Sequence, residues 1–157
     1  DMPVLYCNRT RLPEATEQRL NARWVSKDEL LAGADFVLLQ LPYSKDTHHL
    51  IGAAELAKMK PTAILVNCAR GGIVDDAALI EALRTRRIRA AGLDVFEGEP
   101  ALNPGYLTLD NAVLAPHVAS STEATRARMA MTAAKNLVAA LTGGVPPNLL
   151  NPAAGKN

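Results

Sequence analysis

The chain has 157 residues, of which 48% are hydrophobic and 21% are charged, a balance that is ordinary for a globular domain with a buried core. Its 17 Lys and Arg residues against 16 Asp and Glu residues give a formal net charge of +1, so no overall electrostatic field favours nucleic acid or an anionic membrane surface. We find no apolar run of membrane-spanning length. Composition therefore predicts about one domain, with neither a nucleic acid nor a membrane as its partner.

Short apolar runs alternate with helical patterns through the first quarter of the chain. Pro13 stands near the start of one helical pattern, and Ser26 with Glu29 forms an S-x-x-E capping box ahead of another. In order, we predict a strand over 3–7, a helix over 13–20, a strand over 22–25, a helix after Ser26 through Leu31, and a strand over 35–40.

The same alternation continues to about residue 141. Asp75 is placed to cap one helix, and Ser120 with Glu123 forms a second capping box. The predicted elements are a helix over 53–59, a strand over 62–67, a helix after Asp75 through Leu83, strands over 89–95 and 112–115, and a helix over 122–141 that ends at Gly143-Gly144.

Continuous apolar strands separated by amphipathic helices are typical of a parallel sheet that is covered on both faces. We therefore predict an α/β fold with a doubly wound parallel sheet. In such sheets ligands bind outside the carboxyl ends of the strands, so the residues that follow each strand are the candidates for chemistry.

The first strand is followed by Asn8-Arg9-Thr10-Arg11. In a dinucleotide-binding sheet an acidic residue at this point would hold a ribose 2′-hydroxyl, whereas arginine suits a 2′-phosphate, which its guanidinium can hold through two parallel hydrogen bonds. Arg9 and Arg11 thus favour NADP over NAD. The alternative is a pair of solvated turn arginines.

The strand over 62–67 leads into Asn67-Cys68-Ala69-Arg70-Gly71-Gly72. Arg70 at a strand end fits an anion, and a 2-oxo acid offers it both a carboxylate and a carbonyl oxygen. The glycines let the backbone approach a ligand closely. An ordinary Arg-Gly-Gly turn is the alternative.

Carboxylates and a histidine follow the last two strands, in the segments 92–100 and 116–121. We interpret Glu97 as a solvent-exposed turn residue. His117 alone would more often be structural, but a histidine beside a glutamate can deliver a proton near neutral pH, because the carboxylate stabilises and orients the imidazolium.

The remaining histidines and the two cysteines are interpreted without a chemical role of their own. His48 and His49 read as loop or surface residues, and we predict no metal site because no Cys or carboxylate partner stands at ligand spacing. Cys7 and Cys68 lie in apolar, strand-like runs, so we expect two reduced, buried thiols of a cytoplasmic protein.

The densest basic stretch, residues 84–89, follows a predicted helix. Cations at a helix C-terminus are favoured by the helix dipole, and no aromatic platform for stacking on bases accompanies them. We predict a solvated helix end in preference to a nucleic-acid patch.

Three segments stand in a fixed order: NCARGGIVD over 67–75, AGLDVFEGEP over 91–100 and PHVASST over 116–122. Together they resemble the D-isomer-specific 2-hydroxyacid dehydrogenases, and the resemblance runs from about residue 3 to 152. Residues 5–11 and 148–152 are most similar to the bacterial glyoxylate/hydroxypyruvate reductases and their 2-ketogluconate-reducing relatives. The resemblance implies that Arg70, Glu99 and His117 are the catalytic residues.

The resemblance also implies how a cofactor is held. Asp94 matches the family aspartate that contacts the nicotinamide carboxamide, Leu41 and Pro42 match the loop that flanks the adenosine, and residues 8–11 match the selector of the adenine ribose, in a pattern that usually accompanies NADPH. The implied cofactor-binding residues are Asn8, Arg9, Thr10, Arg11, Leu41, Pro42, Cys68, Ala69, Arg70, Asp94 and His117.

The reaction implied is the reduction of a small 2-oxo acid such as glyoxylate, hydroxypyruvate or 2-ketogluconate. Arg70 would bind the substrate carboxylate and polarise the keto group, the cofactor would deliver a hydride, and His117 with Glu99 would donate the proton. Two alternatives remain: an NAD-dependent D-hydroxyacid dehydrogenase of the phosphoglycerate type, and a non-catalytic dinucleotide-sensing module on the same fold.

One family motif, the phosphate-binding loop G-x-G-x-x-G, does not occur in the sequence. We therefore expect a fragment of a longer, homodimeric protein: a partial NAD(P)-binding Rossmann domain over 1–141, without its first strand and Gly-rich loop, and a tail over 142–157 that returns toward a substrate domain. In the usual strand order 3-2-1-4-5-6 the first strand is central, so the strands over 3–7 and 22–25 would be separated from the others. We expect the isolated chain to be inactive and marginally stable.

Overall fold

The computed structural model describes residues 2–151, which form two units, residues 2–117 and residues 118–151. Two 3₁₀ helices that the sequence did not predict, Lys45–Thr47 and Pro104–Thr108, lie in loops of the first unit. The elements in chain order are β1 (Val4–Tyr6), α1 (Glu14–Leu20), β2 (Ala22–Trp24), α2 (Lys27–Gly33), β3 (Phe36–Leu39), α3 (Ala53–Leu56), β4 (Ile64–Asn67), α4 (Asp76–Arg84), β5 (Ala90–Leu93), β6 (Ala112–Leu114) and α5 (Glu123–Leu141).

The predicted domain boundary at residue 141 coincides with the end of α5, inside the second unit. Of the predicted tail over 142–157, residues 152–157 lie outside the described residues, and so does Asp1.

The strands form two parallel sheets. β1 pairs with β2, and the second sheet has the order β3-β4-β5-β6. The predicted α/β fold with a doubly wound parallel sheet is confirmed, and so is the separation of the first two strands from the rest. In the order 3-2-1-4-5-6 the first strand of the fold joins the two groups of strands. Among residues 2–151, no strand pairs with both β1 and β3 to make this connection.

The second sheet has one buried and one open row of side chains. Val37 and Leu39 of β3 are buried, whereas Phe36 and Leu38 between them are 61% and 59% exposed. The prediction that the sheet is covered on both faces is therefore wrong for β3, because successive side chains of a strand point to opposite faces and only one row packs into the core.

The core lies on the buried side of this sheet and under α4. Leu65 of β4 and Leu79 and Leu83 of α4 are fully buried and belong to one apolar cluster. Full burial of a leucine contributes about 1.5–3 kcal/mol, so this packing holds the carboxyl ends of β3, β4 and β5 firmly. The loops that leave these ends therefore have fixed starting points.

Two of the predicted helix starts are confirmed by their capping bonds. Ser26 Oγ accepts a hydrogen bond from the backbone N–H of Glu29 at 3.2 Å, and Asp75 Oδ1 accepts one from Ala78 at 3.0 Å. Each bond satisfies an N–H group that the first turn of the helix leaves without a partner.

The capping box predicted at Ser120 and Glu123 is wrong. The N-cap of α5 is Thr122, whose hydroxyl accepts from the backbone N–H of Thr125 at 3.2 Å. Glu123 is the first residue of the helix, so it stands too early to occupy the third helical position that a capping box requires.

The basic stretch lies at the C-terminal end of α4, as predicted. Arg84 pairs with Glu81, Arg86 bonds both oxygens of Asp110 at 2.6 and 2.8 Å, and Arg87 donates to a backbone carbonyl of residue 57. Three of its arginines thus have partners within the chain. Among residues 2–151, no helix combines the length and the apolar character that crossing a membrane requires.

Candidate active site

The loops that follow β4, β5 and β6 meet around one open cleft of about 340 Å³. Its walls include Arg70 and Gly71 from the first loop, Glu97 and Glu99 from the second, and His117 from the third. The three residues that the family resemblance marks as catalytic, Arg70, Glu99 and His117, thus line the same cleft although 47 residues separate the first from the last.

Glu99 and His117 form a hydrogen-bonded pair in this cleft. His117 Nδ1 lies 2.8 Å from Glu99 Oε2, and the other carboxylate oxygen, Oε1, accepts the backbone N–H of Phe96 at 2.8 Å. The bond to His117 is the main reason why the pKa of Glu99 lies below its usual value. The pair leaves Nε2 as the ring nitrogen available to a ligand, with Nδ1 fixed by the carboxylate.

Arg70 is exposed and lies on a loop that a buried amide holds. Asn67, 2% exposed, donates from Nδ2 to the carbonyl of Arg70 at 3.1 Å and accepts the backbone N–H of Ala69 at 3.1 Å. Arg70 Nη1 donates to the carbonyl of Ala69 at 2.6 Å. The sequence analysis assigned no role to Asn67, since an amide at a strand end has no distinguishing pattern.

The loop of Arg70 touches the loop of Glu99 through backbone atoms. A Cβ added to Gly71 would overlap the carbonyl carbon and oxygen of Phe96, so only glycine allows this close approach. The position of Arg70 therefore depends on the position of the segment that carries Glu99.

A buried carboxylate supports the same segment from below. Asp76, 7% exposed, accepts the hydroxyl of Tyr106 at 2.9 Å and the backbone N–H of Glu97 at 3.3 Å. Burial is the main cause that raises the pKa of Asp76, and burial also raises the pKa of Tyr106. Neither residue was predicted to contribute, because they stand 30 residues apart in the sequence.

A second cleft of about 660 Å³ lies at the carboxyl ends of β3 and β4. Leu41 and Pro42 line one side of it, and Cys68, Ala69 and Arg70 line the other. Five of the residues that the resemblance implies for cofactor binding are thus brought to one surface. Asp94, which follows β5, is buried and its backbone N–H bonds the carbonyl of Asn67 at 3.0 Å.

The prediction that both cysteines are buried is wrong, since Cys7 and Cys68 are exposed free thiols. Each follows the last residue of its strand, Tyr6 or Asn67, and so lies at the open carboxyl edge of a sheet instead of inside it. The apolar runs extend one residue beyond the strands themselves.

The segment after β1 contains two exposed arginines, of which Arg11 is paired with a carboxylate. Arg11 donates from Nε and Nη2 to the two oxygens of Glu17 at 2.9 and 2.7 Å, and Tyr6 donates to the same carboxylate at 2.5 Å. Arg9 is exposed, and no hydrogen bond or ion pair to it is found within residues 2–151. Of the two arginines predicted to meet a 2′-phosphate, Arg11 is therefore committed to Glu17 in this structure.

His49 and Glu97 form a second imidazole–carboxylate contact, which the sequence analysis missed. His49 Nε2 lies 3.0 Å from both oxygens of Glu97. The interpretation of Glu97 as a simple exposed turn residue is wrong, and so is the premise that the histidines lack a carboxylate partner. The contact spans 48 residues, so no local spacing could have indicated it.

A doubly wound parallel sheet with polar residues gathered at its carboxyl edge is typical of the nucleotide-binding α/β domains. A family model described as the NAD binding domain of the D-isomer specific 2-hydroxyacid dehydrogenases matches residues 1–119. The chain belongs to this family.

The curated relatives of the chain include bacterial reductases. The chain is 53% identical over 152 residues to glyoxylate/hydroxypyruvate reductase B of Klebsiella pneumoniae, a match that covers 96% of this chain and 47% of that protein. The chain thus spans about half the length of the curated relatives it matches.

Solved structures show the same fold. The TT0316 protein of Thermus thermophilus is 44% identical with a TM-score of 0.87, covering 96% of this chain and 46% of that one. The NADPH-dependent glyoxylate/hydroxypyruvate reductase of Sinorhizobium meliloti, solved with NADP and malonate, is 32% identical with a TM-score of 0.81, covering 88% of this chain and 42% of that one.

Proposed function

We propose that this chain carries the cofactor-binding and catalytic residues of an oxidoreductase that reduces a small 2-oxo acid, with a nicotinamide dinucleotide as hydride donor. The observation that carries the proposal is the placement of Arg70 in the same cleft as the Glu99–His117 pair, whose two members lie 2.8 Å apart. A guanidinium and a hydrogen-bonded imidazole are the groups that a 2-oxo acid needs for binding and for protonation.

The shape of the carboxyl edge fits a dinucleotide. Leu41 and Pro42 offer an apolar wall for the adenosine, and the backbone of Cys68 and Ala69 leads toward the cleft of Arg70. Asp94 follows β5 and supplies a carboxylate to the carboxamide. When bound there, the reduced nicotinamide supplies the hydride that forms the new C–H bond.

The residues of the chain then account for the remaining steps. Arg70 binds the substrate carboxylate and draws electron density from the keto oxygen. His117 donates its Nε2 proton to that oxygen as the C=O double bond becomes a C–O single bond, so that a 2-hydroxy acid is formed. Glu99 holds Nδ1 and offsets the positive charge of the imidazolium before the proton leaves.

NADPH is the proposed donor, and Arg9 is the residue that would select it. Its guanidinium is exposed at the end of β1, the position where arginine in place of an acidic residue suits a 2′-phosphate. Arg11 would contribute by fixing the segment through Glu17, and Asn8 and Thr10 would add hydrogen bonds. The Sinorhizobium relative, an NADPH-dependent enzyme, supports this choice.

The proposal extends to a homodimeric protein of the cytoplasm. The exposed thiols of Cys7 and Cys68 fit a reducing compartment, where disulfides rarely persist. The dimer follows from the family resemblance alone, and sedimentation of the active protein would measure it.

The test is a chimera in which this chain replaces the matching segment of the Klebsiella relative. We expect NADPH-dependent reduction of glyoxylate, hydroxypyruvate or 2-ketogluconate. The reaction is measured by the loss of absorbance at 340 nm that marks nicotinamide oxidation. A chimera built with the corresponding segment of the Yersinia pestis relative, also 53% identical to this chain, controls for folding. Tight NADPH binding with no turnover of any 2-oxo acid would contradict the proposal and favour a dinucleotide-sensing module.

A further inference from the structure

Two neighbouring histidines and a distant glutamate converge beside the cleft. His49 Nε2 lies 3.0 Å from the carboxylate of Glu97, and the rings of His48 and His49 are stacked with their centroids 3.8 Å apart. One ligand atom from each of the three residues lies within 4.8 Å of the other two. None of these side chains has a part in the proposed reduction.

The second nitrogen of each ring already has a polar neighbour. His48 Nδ1 lies 3.2 Å from the hydroxyl of Tyr43, and His49 Nδ1 lies 3.9 Å from Asp75 Oδ2. Metal-binding histidines usually hydrogen-bond through their other ring nitrogen, because a second partner fixes the orientation of the ring; Tyr43 lies within hydrogen-bonding distance for this role, whereas Asp75 makes a longer electrostatic contact. The arrangement leaves both Nε2 atoms as the available ligands.

The local charge favours a cation. Asp75 and Glu97 place two carboxylates beside the ring of His49, and no Lys or Arg of the described chain forms an ion pair with either of them. Among residues 2–151, the one partner of opposite charge that Asp75 and Glu97 have is His49, when it is protonated. A bound divalent cation would neutralise this concentration of negative charge.

The backbone holds the histidines in place before any ligand binds. His49 has a φ of +49°, a conformation that few residues other than glycine adopt, and its N–H donates to the carbonyl of Gly72 at 2.8 Å. Ile51 then donates to Ile73 at 3.1 Å. The loop is thus attached to the segment after β4, and the histidines approach Glu97 from a fixed direction.

We propose that His48, His49 and Glu97 bind a divalent transition-metal ion, with zinc as the representative. Two imidazole nitrogens and one carboxylate oxygen form a donor set that suits zinc, nickel or copper and not magnesium or calcium, which prefer oxygen ligands. The stacked rings, inclined by 24°, would separate slightly so that both Nε2 atoms point at one ion, through a small adjustment of the exposed His48 ring that keeps its Nδ1 near the Tyr43 hydroxyl. Water would complete the coordination.

The first test is a titration of the chain with Zn²⁺ in competition with a chromophoric chelator. We expect one equivalent to bind, and each of His48→Ala, His49→Ala and Glu97→Gln to weaken or abolish that binding. Tyr43→Phe, which removes the neighbour of His48 Nδ1, should weaken it by about 10-fold. The matched control is His117→Ala, which removes the third and last histidine of the chain, and this variant should bind zinc as well as the parent.

The Glu97→Gln result is the critical one, because Glu97 is 48 residues from His49 and only the folded chain brings them together. Binding that survives this substitution would show a simple His-His chelate and would overturn the proposal, as would equal loss in His117→Ala. As a measurement that needs no variant, ¹⁵N NMR of the three imidazoles should show zinc-dependent shifts at Nε2 of His48 and His49 only. Shifts confined to His117, or no shifts, would show that His49 and Glu97 form an ordinary ion pair.

Discussion

His117 and Glu99 are joined by a hydrogen bond of 2.8 Å between Nδ1 and Oε2, and the second oxygen of Glu99 is held by the backbone of Phe96. The carboxylate is therefore a bridge between the loop that ends in His117 and its own loop after β5. Because both of its oxygens are engaged, the imidazole can turn only with difficulty, and its Nε2 edge keeps one direction.

This bridge predicts the effect of His117→Ala. In the chimera, we expect the rate of 2-oxo acid reduction to fall by about 10²–10⁴-fold, the usual contribution of a general acid. Steady-state kinetics with separate kcat and KM values make the measurement. Near-normal turnover would show that another group supplies the proton.

The same variant should change the ionisation of Glu99. The bond to His117 is the largest cause that lowers the pKa of Glu99, so its removal should raise that pKa toward the ordinary value for a glutamate. A depressed carboxyl pKa stabilises the folded state above the unfolded pKa, and this stabilisation is lost as the pH falls through the folded value. A ¹³C NMR titration of the Glu99 carboxyl would therefore show a higher midpoint in His117→Ala than in the parent.

The close approach of Gly71 to Phe96 predicts that Gly71→Ala is disruptive. A Cβ at residue 71 would overlap the Phe96 carbonyl, so the segment that carries Glu99 must move. We expect a lower melting temperature and a loss of turnover in the chimera. The matched control is Gly92→Ala in β5, where the nearest atom to the new Cβ is 4.0 Å away; an equal effect of both substitutions would contradict the argument.

Local patterns in the sequence predicted the parallel sheet, whereas Arg70, Glu99 and His117 were marked together by the family resemblance. Apolar runs with helical spacers predict a parallel sheet, and parallel strands bring their carboxyl ends, with Arg70 and His117, to the same edge. The pairing of β1 with β2 apart from the rest was expected from the family resemblance, because the sequence lacks the Gly-rich loop that follows the central strand of that fold.

Contacts that depend on side-chain direction could not be predicted. From the sequence, Arg9 and Arg11 were equally good candidates for contact with a 2′-phosphate. In the fold, Arg11 pairs with Glu17 and Arg9 does not. Likewise, His49 meets Glu97 because two loops from different strands are held together by the backbone bond between His49 and Gly72, a relationship with no periodicity to detect.

The difference between the two arginines predicts different effects of their removal. Arg9→Ala should lower kcat/KM for NADPH in the chimera by about 10–10²-fold, the range expected for a lost charge-assisted hydrogen bond, and should leave NADH use unchanged. Arg11→Ala should instead lower the melting temperature, because it leaves a buried carboxylate without its main partner. If Arg9→Ala weakens NADPH and NADH equally, Arg9 does not contact the 2′-phosphate.

The network around Glu17 predicts a pH-dependent contribution to stability. Hydrogen bonds from Arg11 and Tyr6 lower the pKa of Glu17 from 4.5 to about 2. Its stabilising effect is therefore complete above about pH 4.5 and is lost as the pH falls toward 2. Glu17→Gln should destabilise the chain at neutral pH, and the difference from the parent should shrink through this acidic range in urea unfolding experiments.

Glu14→Gln is the control for Glu17→Gln, since Glu14 lies on the same helix but is exposed, and its side chain accepts a hydrogen bond from Gln18 at 3.2 Å. We expect no resolved change in the midpoint of urea unfolding for this variant. A destabilisation by Glu17→Gln that stays constant from pH 7 to pH 2 would mean that side-chain packing, and not charge, is responsible.

Tyr106→Phe tests the buried support beneath Glu97. The substitution keeps the buried ring and removes the hydroxyl that donates to Asp76 Oδ1 at 2.9 Å. The lost bond leaves a buried carboxylate with a single backbone donor, and we expect the free energy of unfolding to fall by about 1–3 kcal/mol. Tyr43→Phe, at a ring that is 50% exposed, should change it by less than about 0.5 kcal/mol.

The direction in which the destabilisation by Tyr106→Phe changes with pH shows whether the Tyr106 hydroxyl stabilises the ionised or the neutral form of Asp76. Burial raises the pKa of Asp76 while the Tyr106 hydroxyl lowers it, so the variant should have the higher pKa. The hydroxyl stabilises the ionised form, and its contribution is therefore largest at neutral pH and declines as Asp76 becomes protonated. A destabilisation that grew on acidification would mean that the hydroxyl serves the neutral acid, in which case the Asp76 carboxylate is not what fixes the backbone of Glu97.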